Sequence, residues 1–298
     1  MKRVLVIRLS ALGDMVLSFG PFAAIRAHHA ADHLTVLTTR PFAGLLATSP
    51  WFDAVETDAR PRWWDMAGVL RLRRQLQGFD MVYDLQTSSR TSRYFLLAGR
   101  PPWSGVAPGS ALPHANPHRN AMHTIDRQRE QLEMAGITDF PSPDLGWLRG
   151  DVSGFRLPER FALLVPGAAP HRPEKRWPET AYGTLARVLA ARGVAPVVVG
   201  TRTEAPLAAA IRAAEPTAID LTGRTRIEDL AALAARAAVA VGNDTGPMHL
   251  AATMGAPCLV LFGGASDPAL TAPRGDVRVL RVDDLRTLPP DRVAASLP

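Results

Sequence analysis

The segment Gly242-Asn-Asp-Thr-Gly-Pro-Met-His-Leu-Ala251 follows an apolar run, 237–241, and leads into a small-residue stretch with helical character. A strand that stops at a Gly, Asn and Asp turn and opens a helix leaves the first N–H groups of that helix unpaired, aimed at whatever lies in front of them. Such a turn suits an anion. Asp244 and Thr245 are side chains able to cap the helix, Gly246 lets a ligand approach the backbone, and His249 lies one turn in. A ligand phosphate is the anion that fits this arrangement best.

Three further segments follow apolar runs and place chemistry-bearing side chains where α/β proteins bind ligands. In Arg8-Leu-Ser-Ala-Leu-Gly-Asp14 the carboxylate of Asp14 stands at the turn into a helix, where it serves either as a general base or as a plain helix cap. Spacing alone favours the cap. The second segment, 165–178, gathers His171, Arg172, Lys175 and Arg176, enough positive charge to neutralise a phosphate or simply to form a solvated basic loop. In the third, Gly200-Thr-Arg-Thr-Glu204, Glu204 is placed either to accept from ribose hydroxyls or to start a helix.

The elements that must position these loops read as a doubly wound α/β architecture. Continuous apolar runs at 4–7, 34–37, 81–83, 161–165, 195–199, 238–241 and 258–262 predict strands covered on both faces, as in parallel sheets. Helical stretches alternate with them at 11–26, 40–47, 65–77, 179–191, 204–214, 227–237 and 247–254. The alternation runs twice, with a turn-rich break at about 141–158, so the predicted domains are 1–155 and 156–298. The last helix of the second domain is a candidate to pack back on the first. The stretch 101–120, rich in Pro, Gly, His and Asn, reads as a long loop of the first domain. Its His114 and His118, with His123 beyond it, lack a Cys or carboxylate cluster and read as exposed loop histidines rather than metal ligands.

Composition narrows the function classes. At 298 residues, 47% hydrophobic and 21% charged, the chain is long enough for two cored domains and is neither disordered nor fibrous. A net charge of +6 and a pI near 10.3 come from scattered arginines rather than a basic tail, which points away from nucleic acid and toward a phosphorylated or membrane-embedded substrate. The lone Cys258 lies in an apolar run and excludes an internal disulfide, in keeping with a cytoplasmic protein. Arg8 and Asp14 interrupt the apolar start, so it reads as a buried strand rather than a signal peptide; no membrane span is predicted either. Arg60-Pro-Arg-Trp-Trp-Asp and Arg71-Leu-Arg-Arg74 mix cations with indoles, as an anionic membrane contact does, although an exposed helix over a packed tryptophan is the plainer reading.

Taken together, Arg8-Leu-Ser-Ala-Leu-Gly-Asp-Met-Val, Asp84-Leu-Gln-Thr-Ser, Pro166-Gly with Lys175-Arg-Trp-Pro, Gly242-Asn-Asp-Thr-Gly-Pro-Met-His-Leu-Ala and Leu261-Phe-Gly-Gly-Ala-Ser-Asp-Pro resemble glycosyltransferase family 9, the ADP-heptose:lipopolysaccharide heptosyltransferases. The match spans nearly the whole chain, and Asp-Thr-Gly-Pro-x-His is its most specific part. The resemblance implies a GT-B architecture, two Rossmann-like domains facing a central cleft, with acceptor on the first and nucleotide-sugar donor on the second. It implies an inverting transfer from an ADP-sugar to a lipid-linked inner-core acceptor, with no metal or other cofactor. By similarity Asp14 is the general base, Lys175 meets the departing diphosphate, and Asp244, Thr245, Gly246 and His249 hold diphosphate and sugar. Glu204 then binds the ribose. Peripheral contact with the anionic inner membrane fits such an acceptor.

The chain departs from better-known members at Pro170 and His171, where they carry paired threonines before the lysine. A different donor or acceptor therefore stands as the alternative within the family. Outside it stand a nucleotide-sugar epimerase, a non-catalytic nucleotide-sugar binder and a Rossmann oxidoreductase, the last disfavoured because the loop after the first strand lacks GxGxxG.

Overall fold

In the computed structural model, which describes residues 1–298, the chain divides into two compact units, Met1–Trp147 and Leu148–Pro298. In the first unit the chain order is β1 (Arg3–Ile7), α1 (Leu12–Val16), α2 (Phe19–His28), β2 (His33–Thr38), α3 (Arg40–Ala47), β3 (Ala54–Thr57), α4 (Met66–Leu76) and β4 (Met81–Asp84). It continues through α5 (Ser89–Leu97), β5 (Trp103–Gly105), β6 (Leu112–Pro113) and α6 (Thr124–Met134). All strand pairs are parallel, in the order β3-β2-β1-β4-β5-β6. Val4 to Ile7 of β1 are fully buried because β1 is central and covered on both faces. Leu5 and Ile7 pack with Leu72 and Leu76 of α4 and with Tyr94 and Phe95 of α5. Each such side chain contributes roughly 1.5–3 kcal/mol.

The second unit repeats the plan with β7 (Phe161–Val165), α7 (Glu179–Ala191), β8 (Ala195–Val198), α8 (Ala205–Ala214), β9 (Ile219–Asp220), α9 (Ile227–Ala234) and β10 (Val239–Asn243). Then come α10 (Gly246–Thr253), β11 (Cys258–Phe262), α11 (Pro268–Thr271), β12 (Val277–Arg281) and α12 (Pro290–Ala295). Its parallel sheet runs β12-β11-β10-β7-β8-β9. Counting strands within each unit, both sheets have the order 3-2-1-4-5-6, so strand order reverses between β1 and β4 and again between β7 and β10. In open sheets of this kind ligands bind beyond the carboxyl ends of the strands at that reversal. The topology thus selects the loops after β1, β4, β7 and β10.

Two expectations change. The single helix expected over 11–26 is two, broken at Leu17 and Ser18, where the Ser18 hydroxyl donates to the carbonyl of Asp14 at 2.8 Å and competes with continued helix. The expected loop 101–120 contributes β5 and β6 to the sheet edge. The closing helix α12 buries Val293 and Ala294 in the second unit's core beside α7.

Candidate active site

In the second unit, β10 delivers Asn243 and Asp244 directly to the strand-order reversal. Asn243 is fully buried and uses its whole amide: Oδ1 accepts from the Trp177 N–H at 3.0 Å and the Tyr182 hydroxyl at 3.2 Å, and Nδ2 donates to the carbonyls of Pro166 at 2.9 Å and Gly167 at 3.2 Å. One side chain therefore ties the loop after β7 and the Lys-Arg-Trp-Pro segment to the end of β10. Gly242 permits this closeness, since a Cβ there would stand 2.6 Å from Met248 Sδ and 2.7 Å from Val165 Cβ.

The register so fixed brings Lys175 to Asp244, with Nζ 2.5 Å from Oδ2 and side-chain exposures of 18% and 7%. His249, on α10, lies with Nε2 4.0 Å from the other carboxylate oxygen of Asp244. Thr245 is the N-cap of α10, but its hydroxyl makes no capping bond, and Asp244 is engaged by Lys175. Neither side chain able to cap α10 does so, and the Asp244 carboxylate is turned to the Lys175 ammonium instead. No side chain caps this helix start, where Pro247 brings no N–H and Met248 gives its own to the Thr245 carbonyl at 3.0 Å.

Glu204 is buried beside both strand ends, where a Cβ on Gly167 or on Gly200 would each stand 2.9 Å from it. Its carboxylate accepts from the Thr201 N–H at 2.8 Å, the Thr201 hydroxyl at 2.6 Å and the Thr203 hydroxyl at 3.0 Å. The helix-start reading of Glu204 is the geometry present, at a place next to the loop after β7. A pocket of about 560 Å³ opens between that loop and the Gly263-Gly-Ala turn, lined by Glu174, Arg176, Gly264, Ala265, Asp283 and Arg286.

In the first unit the loop after β1 is held from several sides. Gln86 accepts from the N–H groups of Leu9 at 2.9 Å and Ser10 at 3.2 Å, and Thr39 donates to the Leu9 carbonyl at 2.6 Å. Asp14, at the third position of α1, accepts from the Ala11 N–H at 3.1 Å, so the cap is real. Its other oxygen meets the Arg8 guanidinium at 3.0 Å, yet 46% of the side chain stays open to solvent. A carboxylate that caps its helix and still faces outward can also take a proton from a ligand.

Sequence reasoning missed what surrounds it. Arg8, 4% exposed, donates to the carbonyls of Leu85 at 2.5 Å and Asp14 at 3.2 Å, and burial holds its pKa below the usual range. Arg127 on α6 and Arg119 are likewise depressed by burial, Arg127 against the attraction of Asp14. His114 is buried and bonded to Glu130 at 2.8 Å, not an exposed loop histidine, and His123 caps α6 by accepting from the Ile125 N–H at 3.2 Å. No group of three or more His, Cys, Asp or Glu side chains is placed to hold a metal ion.

Burial pushes the Asp84 carboxyl up to about 6, against hydrogen bonds from Thr91, Thr87 and Gln86 and the charge of Arg8. Between about pH 4 and 6 the native state keeps a proton that the unfolded chain has released, so stability falls as pH rises through that window and levels off above it. The rise corresponds to roughly 3 kcal/mol. Asp84→Asn is expected to remove the slope, leaving the variant at least as stable as the parent at neutral pH. Denaturant unfolding across that pH window checks this, and an unchanged slope contradicts it.

The model of "Glycosyltransferase family 9 (heptosyltransferase)" matches residues 69–289. Lipopolysaccharide heptosyltransferase 2 of Escherichia coli K12 is 26% identical over 94% of this chain and 88% of its own. Lipooligosaccharide heptosyltransferase 2 of Haemophilus influenzae is 35% identical over a stretch that covers 38% of this chain and 34% of that protein. The fold matches Escherichia coli heptosyltransferase WaaC, solved with ADP-2-deoxy-2-fluoro heptose, at a TM-score of 0.77 and 20% identity over 98% of each chain. With the family model covering most of its length, and two Rossmann-like units of the GT-B kind beneath it, the chain belongs to glycosyltransferase family 9, the heptosyltransferases.

Proposed function

We propose that the protein transfers heptose from ADP-heptose to a lipopolysaccharide inner-core acceptor, in one inverting displacement that needs no metal ion. The observation that carries this reading is the Lys175–Asp244 pair at the uncapped start of α10, which sets a cation beside the positive end of a helix dipole where a diphosphate would leave. In the proposed step the Asp14 carboxylate takes the proton of an acceptor hydroxyl, the oxygen attacks the anomeric carbon, and the sugar–phosphate bond breaks. The electron pair goes to the departing ADP, whose charge is met by Lys175 and the dipole of α10. Thr245, Gly246 and His249 frame the diphosphate and adjoining sugar, and Glu204 turns from its threonines to the ribose. Similarity to lipopolysaccharide heptosyltransferase 2 and to WaaC, solved with ADP-2-deoxy-2-fluoro heptose, supports the substrate class.

A different activated sugar is the second reading, favoured by Pro170 and His171 in the loop that carries Lys175. A screen of nucleotide sugars by thermal protection separates the two. ADP-heptose is expected to raise the melting temperature in the presence of a chelator, by an amount that grows with concentration. Protection by another nucleotide sugar alone would replace the donor assignment, and protection by none would remove the transferase reading. We further place the enzyme in the cytoplasm, at the inner leaflet where a lipid-linked acceptor is exposed; no helix is long and apolar enough to cross a membrane.

A further inference from the structure

Three of the large hydrophobic side chains that stand out in solvent fall within seven residues of one another: Trp64 at 74% exposure, Met66 at 68% and Leu70 at 48%. Met66 and Leu70 are one turn apart on α4, on the side away from Leu72 and Leu76, which fill the core. Arg74 continues that row a turn further on, and Arg71 and Arg73 stand exposed beside it. Arg62 covers the Trp64 ring at 5.2 Å. From 60 to 74 the chain carries five arginines against one carboxylate, Asp65, and that carboxylate is occupied in capping α4 through the Gly68 N–H at 2.9 Å.

An apolar ridge of indole, thioether and leucine rimmed by arginines matches the boundary of an anionic bilayer, where apolar groups enter the acyl edge and guanidiniums meet phosphates. The segment is also held rigidly. Arg60 adopts a left-handed backbone at φ 49°, its N–H donates to Asp58 at 2.7 Å, and Tyr94 donates to the other oxygen of Asp58 at 2.5 Å. Arg90 ties Pro61 at 2.8 Å while lying over the Trp63 ring at 5.1 Å. Gly68 lets α4 start against this loop, since a Cβ there would stand 2.7 Å from Pro61. Finally, Arg60 donates to the Ser10 hydroxyl at 2.7 Å, joining the segment to the loop that carries Asp14.

We propose that Trp64, Met66 and Leu70, with Arg62, Arg71, Arg73 and Arg74, form a docking surface for an anionic phospholipid bilayer, joined to the loop that carries the base. The proposal rests on the reading that the acceptor is lipid-linked, and its test does not use the transfer reaction. The full chain is mixed with phosphatidylglycerol-containing vesicles that hold no acceptor, and with phosphatidylcholine vesicles, at low and high salt. Binding is expected on the anionic vesicles only and weaker in high salt, with brominated acyl chains quenching tryptophan emission. Trp64→Ser is expected to weaken binding roughly tenfold and to abolish most of the quenching. Arg73→Gln with Arg74→Gln is expected to weaken it about fivefold per cation while the quenching per bound molecule persists. ADP affinity stays at the parent value in both variants, which shows that they are folded. Equal binding by Trp64→Ser, binding to neutral vesicles as strong as to anionic ones, or capture on vesicles without quenching each overturns the proposal. Vesicle binding without any sugar transfer leaves the docking surface standing and removes the functional reading instead.

Discussion

Asp14→Asn is expected to lower kcat by about 10²–10⁴ while leaving ADP affinity unchanged. Asparagine keeps an oxygen for the Ala11 N–H, so the start of α1 persists. It cannot take a proton from an acceptor hydroxyl at neutral pH. It also withdraws the charge that faces Arg8, whose guanidinium is buried, so the variant is expected to lose about 1–3 kcal/mol of stability. The two effects separate cleanly, because a folded variant that binds ADP like the parent but turns over slowly has lost chemistry rather than structure. Steady-state kinetics, ADP titration and denaturant unfolding on one preparation test this. A variant with near-parental kcat would return Asp14 to the cap that its position at α1 already makes it.

Lys175→Met carries the second large effect, in two parts. Removing the ammonium leaves the Asp244 carboxylate, 7% exposed, without its cation, and breaking such a pair costs about 3–5 kcal/mol where burial is deep. Turnover is expected to fall by about 10²–10³, the usual consequence of deleting one stabiliser of developing charge. The double variant Lys175→Met/Asp244→Asn recovers most of the stability, because neither side of the pair is then charged, but recovers no turnover. If the double variant regained activity with its stability, Lys175 would be a structural counter-ion only. Unfolding midpoints and kcat of the two variants, compared with the parent, give the answer.

The interior strands were legible from sequence because β1, β4, β7, β10 and β11 are covered on both faces and so are apolar without alternation. The edge strands were not. Ile219–Asp220 is two residues long, and Val277–Arg281 alternates with arginines that face solvent, so neither carries the signal of a buried strand. Helix α4 was readable from its Asp65 cap and its apolar spacing, whereas α6, with only Leu132 as a buried hydrophobe, was not.

Asp14 in the first unit, and Lys175, Glu204 and Asp244 in the second, could be picked out as candidates because each follows a strand, but their partners could not. Lys175 and Asp244 are 69 residues apart, and the four bonds of Asn243 reach back as far as Pro166. Only the shared sheet brings those segments to one place. Arg8 was hidden for another reason: an arginine at a strand end reads as exposed, and this one is buried because backbone carbonyls and Asp14 receive it. Asp244 is able to cap α10 on local pattern, but its carboxylate is taken by the ammonium that arrives from the loop after β7.

The most direct test is a single assay of transfer. Purified protein, ADP-heptose and a Kdo-bearing lipid A are combined with a chelator, and acceptor mass, ADP release and anomeric configuration of the product are read together. The account predicts one heptose added for each ADP released, with the anomeric configuration inverted. ADP release without sugar addition, retention of configuration, or transfer that appears only when a divalent ion is supplied would contradict it.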